Sequence, residues 1–434
     1  MEANRGWTRD IFGVFSTNIF ILIIGFVIGI ILPRELGPRA MGLYFAILAI
    51  PLLTQSLIEL GVRPTIVFLT GKKVYSEEKI VSGLIYILAI STIVCIILFS
   101  IIFYFLNNPD YHISFIIIII IITPLRLAIA YSRAFILAKE KIKRFNRSNL
   151  FFMLCNLIGV IVLVWILKLG VLGALLSLLF ASLVVSIYSV AVIAREHRIQ
   201  LGFDIKVVST IFKQGLVFAL SYFIIRLNYR IDIVLMERLS TLTEVGYYSL
   251  GVNIAEQLFQ LPAALFAVVV SRSANATDQV KMTRDVSKLL RITFAIALLC
   301  SVILFFAVPF LITFIYGSQF APSIKVVQLI LPGILFIIIF KVLNGHLSGI
   351  GKPYISALVF APPVVINIIL NIFWIPLYGG LGAAMATNVS YTLGAITLLI
   401  VYSRVMNIPL VEMLHYRLSD FDFIRTLKTR LLKP

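Results

Sequence analysis

Several ionisable side chains in this 434-residue chain are embedded in apolar sequence, and they define the chemistry open to it. Arg226 and Arg230 are four residues apart, so on a helix they share one face. Tyr222 lies one turn earlier, and Asn228, Tyr229 and Asp232 fall beside them. Arg126, Lys341, Glu256 and Glu59 are likewise set against apolar runs. Near the centre of a bilayer an ionised group costs at least about 2.5 kcal/mol on insertion scales, so each should face a cavity or a partner. Arginine offers a planar fork of donors to anions, and intramembrane carboxylates relay protons, hold a cation or pair with a base.

Other constellations are set aside. No GxxxxGK[ST] loop occurs; Gly349-Ile350-Gly351-Lys352 is a turn after an apolar run, so the chain is not an ATPase by itself. The four histidines show neither HExxH nor close pairing, which leaves no metal site, and His346 is expected to be solvated at a helix end. Asp420-Phe421-Asp422 spells DxD, but it lies in a terminal tail with no nucleotide-binding fold around it. No cofactor is implied, and the chain is not expected to be an enzyme.

The elements that must carry these groups follow from composition. Hydrophobic residues make up 61% of the chain and charged ones 13%, against roughly 45–50% and ~25% in soluble proteins. In lipid every backbone polar group must be paired internally, and apolar runs of about twenty residues fit helices rather than barrel strands. Twelve spans are expected: Ile11–Leu32, Met41–Val62, Ile80–Leu106, Ser114–Leu137, Leu150–Leu167, Leu172–Ala194, Gly215–Met236, Glu244–Val270, Ile292–Ile315, Val326–Leu347, Ser356–Ile375 and Gly380–Tyr402. The first is too long for a signal-peptide core and lacks a small-x-small cleavage site, so it should stay as a signal anchor. Cys95, Cys155 and Cys300 all fall in apolar runs and read as small core hydrophobes.

The net charge of +18 is not a nucleic-acid signal, because the basic residues recur in short clusters on alternate sides of the spans. With the N-terminus inside, the outer loops hold Arg34, Arg39, Lys168, Arg238 and Lys325, and most of the remainder lie inside. The positive-inside rule then puts both termini in the cytoplasm of a multi-pass plasma-membrane protein. From Asp420 the tail reads as an amphipathic helix, with Ile424, Leu427 and Leu431 on one face, lying on the inner leaflet.

The longest inner loop divides the spans into two sets of six, residues 1–200 and 201–403, followed by a tail over 404–434. Local matches recur at a shift of roughly 204 to 209 residues, the mark of a repeat transporter. Gly42-Leu43-Tyr44 matches Gly246-Tyr247-Tyr248, Pro124 matches Pro332, and Arg133 matches Lys341. Gly170, Gly173 and Ala174 match Gly379, Gly382 and Ala383. Six spans per half keep both halves in one orientation, so the fold class is an all-α polytopic protein of two pseudo-symmetric six-helix lobes around a central cavity.

Leu36-Gly37, Leu60-Gly61, Arg230-Ile231-Asp232, Val245-Gly246-Tyr247-Tyr248-Ser249-Leu250, Ile315-Tyr316-Gly317, Gly349-Ile350-Gly351-Lys352-Pro353 and Ile375-Pro376-Leu377-Tyr378-Gly379-Gly380-Leu381-Gly382-Ala383-Ala384, with Asn367 and Asn371, occur in order along nearly the whole chain. In these it resembles the Wzx-type polysaccharide flippases of the multidrug/oligosaccharidyl-lipid/polysaccharide exporter superfamily. The two extra spans usual in the superfamily's lipid II flippases are not found.

The resemblance implies export of polyprenyl-diphosphate-linked oligosaccharide by alternating access, with membrane lipids, a polysaccharide polymerase and glycosyltransferases as the associated partners. Such a substrate needs cationic donors for its phosphates and amides or tyrosines for its hydroxyls. Arg226 and Arg230 are the first phosphate candidates, then Arg126 and Lys341; Asn18, Asn253 and Tyr222 are the sugar-contact candidates. Asp232, Glu256 and Glu59 are the candidates for coupling or ion pairing.

Two other accounts compete at the residue level. The hairpin after Arg226 turns near Ser240, about fourteen residues on and sixteen before Glu256, so Arg226 and Glu256 are expected at similar depth and could pair with each other. Arg133 and Lys341, near inner helix ends, could snorkel to headgroups. At the level of function, a cation-coupled multidrug antiporter of the same superfamily would share the fold but should have an acidic site. A membrane glycosyltransferase or polymerase would want a large outer loop with carboxylates, which this chain lacks.

Overall fold

The computed structural model describes residues 2–71, 74–106, 108–139, 141–196, 204–274, 276, 278–416 and 420. These are helical almost throughout. The first helix, α1 (Glu2–Ile58), is two helical arms joined at Gly37, where φ is 72°. There follow α2 (Val62–Gly71), α3 (Glu77–Leu106), α4 (Ile113–Ala138), α5 (Ile142–Gly159), α6 (Gly170–Glu196), α7 (Ile205–Leu239), α8 (Leu242–Ala255), α9 (Gln260–Ala274), α10 (Gln279–Leu311), α11 (Pro322–Gly349), α12 (Pro353–Tyr378), α13 (Gly380–Met406) and the short α14 (Leu410–Leu414).

Among the described residues nine stretches are long and apolar enough to cross a membrane. One of them, Phe20–Ile58, runs through Gly37 and overlaps both of the first two expected spans. Two further helical stretches, α7 and the α8–α9 pair, account for the other two expected spans. The long α7 carries Lys206, Lys213, Arg226, Arg230, Asp232, Glu237 and Arg238. The α8–α9 helix is interrupted by a tight 3₁₀ turn at Glu256–Phe259. Together these make the expected twelve membrane helices.

The chain divides into two compact units, Met1–Arg226 and Leu227–Pro434, so the division falls inside α7. In the first unit α4 is the hub, packing on α1, α2, α3, α5 and α6; in the second it is α11, against α8, α9, α10, α12 and α13. These are the two helices that the Pro124–Pro332 match makes equivalent. A helix apolar on every side must be buried on every side, and α11 accordingly has the most buried apolar stretch of the nine. Large apolar side chains left outward, such as Ile97, Phe105, Phe306, Phe310 and Phe373, are suited to lipid.

The repeat has the same backbone cause in both halves. Gly170 and Gly379, matched in sequence, have φ of 59° and 55° and start the last membrane helix of each half. An L side chain is disfavoured there. The first part of α7 is held in its unit by a second glycine contact: a Cβ on Gly61 would lie 2.0 Å from the carbonyl oxygen of Gly215. Cys95, Cys155 and Cys300 are free thiols. The tail expected to form a helix from Asp420 lies outside the described residues except for Asp420 itself.

Candidate functional site

The first unit brings Arg226 onto the C-terminal end of the second arm of α1. Its guanidinium donates to Gln55 Oε1 at 2.9 Å and to the Leu52 carbonyl at 3.3 Å. Gln55 in turn donates to the buried carboxylate of Glu59, one turn further along α1. Leu52 and Gln55 also line a cleft between α1 and α4, whose walls include Leu48, Pro51, Ile119 and Ile122 and whose one charged side chain is Arg126. Arg126 is exposed, and its guanidinium carbon stands 5.9 Å from the centroid of the Phe152 ring on α5. Arg126 and Gln55 therefore line one apolar cleft, and Arg226 and Glu59 are bonded to Gln55 at its edge. Tyr222 is half-buried one turn before Arg226. The side chain of Asn18 lies outside the described residues.

The sequence reading grouped Arg226 with the second half and matched it in depth to Glu256. The structure gives the two residues different partners. Arg226 makes its hydrogen bonds to Gln55 and Leu52 within the first unit, and the ion pair to Glu256 belongs to Arg230, at 3.0 Å. The reason is the lean of helical side chains toward their own N-terminus. On α7, which runs toward the turn at Ser240, that direction is away from the turn; on α8, which leaves the turn, it is toward it. A pair that meets must therefore have its α7 member clearly nearer the turn than its α8 member, and Arg230, ten residues from Ser240 against sixteen for Glu256, meets this by a wider margin than Arg226 at fourteen.

Glu256 also owes its setting to Pro262. A proline inside a helix removes one backbone donor and crowds the carbonyl four residues earlier. That carbonyl belongs to Leu258, inside the 3₁₀ turn Glu256–Phe259. The turn presents the Phe259 ring to Lys341, whose ammonium stands 4.0 Å from its centroid and 4.7 Å from that of Tyr229. Lys341 is thus turned onto aromatic faces within the unit, the geometry of a cation–π site, and not out to headgroups. Arg230 and Glu256 are its principal charged neighbours. Tyr229 extends the aromatic lining to Tyr391, 5.7 Å away and edge-on. Two cations therefore share one carboxylate.

A second polar cluster in this unit surrounds Asp232, which is 2% exposed. Its carboxylate accepts from Tyr248 Oη at 2.7 Å, Thr387 Oγ1 at 2.6 Å and Asn371 Nδ2 at 2.7 Å. Asn371 Nδ2 is also 3.0 Å from Asn367 Oδ1. Among the described residues no base pairs with this carboxylate, and Asn371 Oδ1 and Asn367 Nδ2 have no hydrogen-bond partner. Asn367 and Asn371, four residues apart on α12, join that helix to α7 through Asp232. Nothing in the sequence brought Tyr248 and Thr387 to Asp232, since they come from α8 and α13.

The remaining candidates are placed more simply. Asn253 Nδ2 donates to the Ser249 carbonyl on its own helix at 2.7 Å. Arg133 donates to Ser148 Oγ and the Ser148 carbonyl at 3.1 and 2.9 Å, which ties α4 to α5. His346 is fully buried and bonded to Tyr402 Oη at 2.5 Å; the expectation of a solvated histidine fails because α11 is enclosed around its whole circumference. Among the described residues no cluster of three or more His, Cys, Asp or Glu side chains could hold a metal ion.

Comparison with known proteins agrees with this architecture. Residues 7–271 match the model of the family described as polysaccharide biosynthesis protein, and residues 218–373 match the MatE family. A Shigella flexneri protein named "Putative O-antigen transporter" is 26% identical over 166 residues, 38% of this chain and 40% of that protein. The alignment thus spans well under half the length of that relative. Among solved structures, a lipid II flippase, MurJ, in an inward closed conformation superposes with a TM-score of 0.72 at 18% identity, covering 97% of this chain and 93% of that one. An outward-facing multidrug resistance MATE transporter of the MOP superfamily gives 0.67 at 14% identity, covering 91% and 95%. An inward-facing one gives 0.66 at 16% identity, covering 89% and 94%. These structural likenesses define a shared fold. With the family model covering more than half of its length, the chain belongs to the polysaccharide biosynthesis protein family.

Proposed function

We propose that this protein flips a polyprenyl-diphosphate-linked oligosaccharide from the inner to the outer leaflet by alternating access between its two halves. The observation that carries the reading is the surplus of cations inside membrane helices. Arg126 lines the cleft of the first unit and Arg226 is bonded to its Gln55, and Arg230 with Lys341 outnumber Glu256 in the second. Keeping such groups in a bilayer is costly, and a dianionic diphosphate is a ligand that would use them. Tyr222, Asn18 and Asn253 serve the sugar hydroxyls in this reading. The cleft between α1 and α4, apolar apart from its polar end, suits the start of the lipid tail. The charge asymmetry of the loops supports cytoplasmic termini in the plasma membrane. A polymerase and glycosyltransferases are the partners that such a substrate calls for.

Asp232 is the coupling group of this proposal. A buried carboxylate without a base beside it, next to the unpartnered carbonyl oxygen of Asn371, suits a proton or a cation moving with the transport cycle. The MatE match over residues 218–373 favours one second reading, a cation-coupled multidrug antiporter. The excess of basic over acidic groups weighs against a cationic drug as cargo. The test is reconstitution: purified protein in liposomes should move a fluorescent lipid-linked oligosaccharide between leaflets, measured by quenching of the outer leaflet. Failure to move it, with efflux of cationic dyes instead, would reverse the choice.

A further inference from the structure

The chain does not run free after its last membrane helix. Asn407, with φ of 52°, ends α13, and Ser403 Oγ holds the turn by donating to the Ile408 carbonyl at 2.6 Å. The segment then folds back onto α10, where Arg291 receives it. Arg291 is 6% exposed and Asp420 2%. The guanidinium makes a two-pronged contact with the Asp420 carboxylate, Nε at 2.7 Å and Nη2 at 3.0 Å. Its remaining nitrogen donates to the carbonyls of Glu412 and Met413 at 3.1 and 3.0 Å. Those carbonyls belong to the last turn of α14, which has no further helix to bond them. The contact is returned by Tyr416 Oη, donating to the Arg291 carbonyl at 3.2 Å. Two turns away, Arg284 pairs with Glu412 at 3.0 Å, and Met413 is fully buried beneath.

A buried arginine must have its charge and its donors met together, or the burial is strongly unfavourable. Here both are met by residues separated from it by most of four helices. We propose that Arg291 is a positioning residue which makes a strap of Ile408–Tyr416 with Asp420, bolting the end of α13 to the start of α10, and that transport depends on the closed strap. The acidic DxD of the tail then has a physical role unrelated to metal: its first carboxylate is the buckle. The strap explains why α10, whose first turns are polar, has a defined partner outside the membrane helices.

The test needs no knowledge of the cargo. In a full-length chain with Cys95, Cys155 and Cys300 replaced by serine or alanine, a cysteine is placed at Met413 and its reaction with a membrane-permeant maleimide is timed in membranes. With the strap intact it should react slowly. Asp420→Asn keeps the shape and removes the charge, and Arg291→Lys keeps the charge and removes the fork; each should speed labelling by about tenfold or more. Abundance in the membrane should stay normal, because both changes lie at or beyond the ends of the membrane helices. Cell-surface glycan export, read in the same strains on the chain without the added cysteine, should fall with each change. Equal labelling in all three chains would overturn the strap. Faster labelling with undiminished export would overturn its role in transport, and neither result bears on which glycan is moved.

Discussion

Arg226 and Arg230 stand one helical turn apart on α7, yet their guanidinium groups serve different settings. Arg226 donates to Gln55 and Leu52 at 2.9 and 3.3 Å, whereas Arg230 pairs with Glu256 at 3.0 Å. The division of the chain into two units falls between them. Two cations that look interchangeable in sequence therefore make separable predictions.

Arg226→Ala should lower flipping of a lipid-linked oligosaccharide in liposomes by about tenfold or more, the cost of one charge-assisted contact. Gln55→Leu, which removes the acceptor and keeps the volume, should weaken transport less. Wild-type rates from both chains would remove Arg226 from the substrate path.

For Arg230 the informative experiment is exchange. Arg230→Glu and Glu256→Arg, made singly, each leave a like-charged buried pair and should lower thermal stability in detergent by several degrees. Combined, they should restore stability but not transport. Recovery of both would make the pair a structural tie and nothing more.

Lys341 is held by ring faces, so its aromatic partners can be tested without touching the charge. Phe259→Leu retains most of the apolar volume and removes a cation–π contact of about 1–2 kcal/mol. Transport should fall by roughly three- to thirty-fold, with unchanged abundance. If Phe259→Leu transports normally while Lys341→Met does not, the ring is mere packing.

Asp232→Asn can keep hydrogen bonds to Tyr248, Thr387 and Asn371 while removing the charge. The protein should remain folded by size-exclusion profile, and its transport should no longer respond to an imposed proton or sodium gradient. An unaltered gradient response would exclude Asp232 from coupling.

The repeat makes a stability prediction. Gly170→Ala meets open space and pays only for its φ of 59°, about 1–2 kcal/mol. Gly379→Ala carries a similar penalty at φ 55° and also brings a Cβ to 2.7 Å from Glu244 Oε2. Melting in detergent should fall in both, and further for Gly379→Ala.

The membrane helices were legible in the chain because crossing a bilayer is decided by length and hydropathy, both local. The same holds for the halves, since glycines at positive φ, such as Gly170 and Gly379, must recur wherever the same turn recurs. Even α7, which carries seven charged side chains, was readable from its position between well-marked neighbours. The need for a partner at Arg226, Arg230, Asp232 and Glu256 was legible too, because an ionised group in lipid demands one wherever it sits. The choice of partner was not. It depends on which way a side chain leans along its helix, on a break that Pro262 forces at Glu256–Phe259, and on residues far apart in sequence. Tyr248 and Thr387 reach Asp232 from separate helices, and Asp420 closes on Arg291 from beyond the last one. Hydropathy is summed along the chain, so sequence alone determines what must be in the membrane; charge pairing is settled across helices, so only the packed structure decides what each charge meets there.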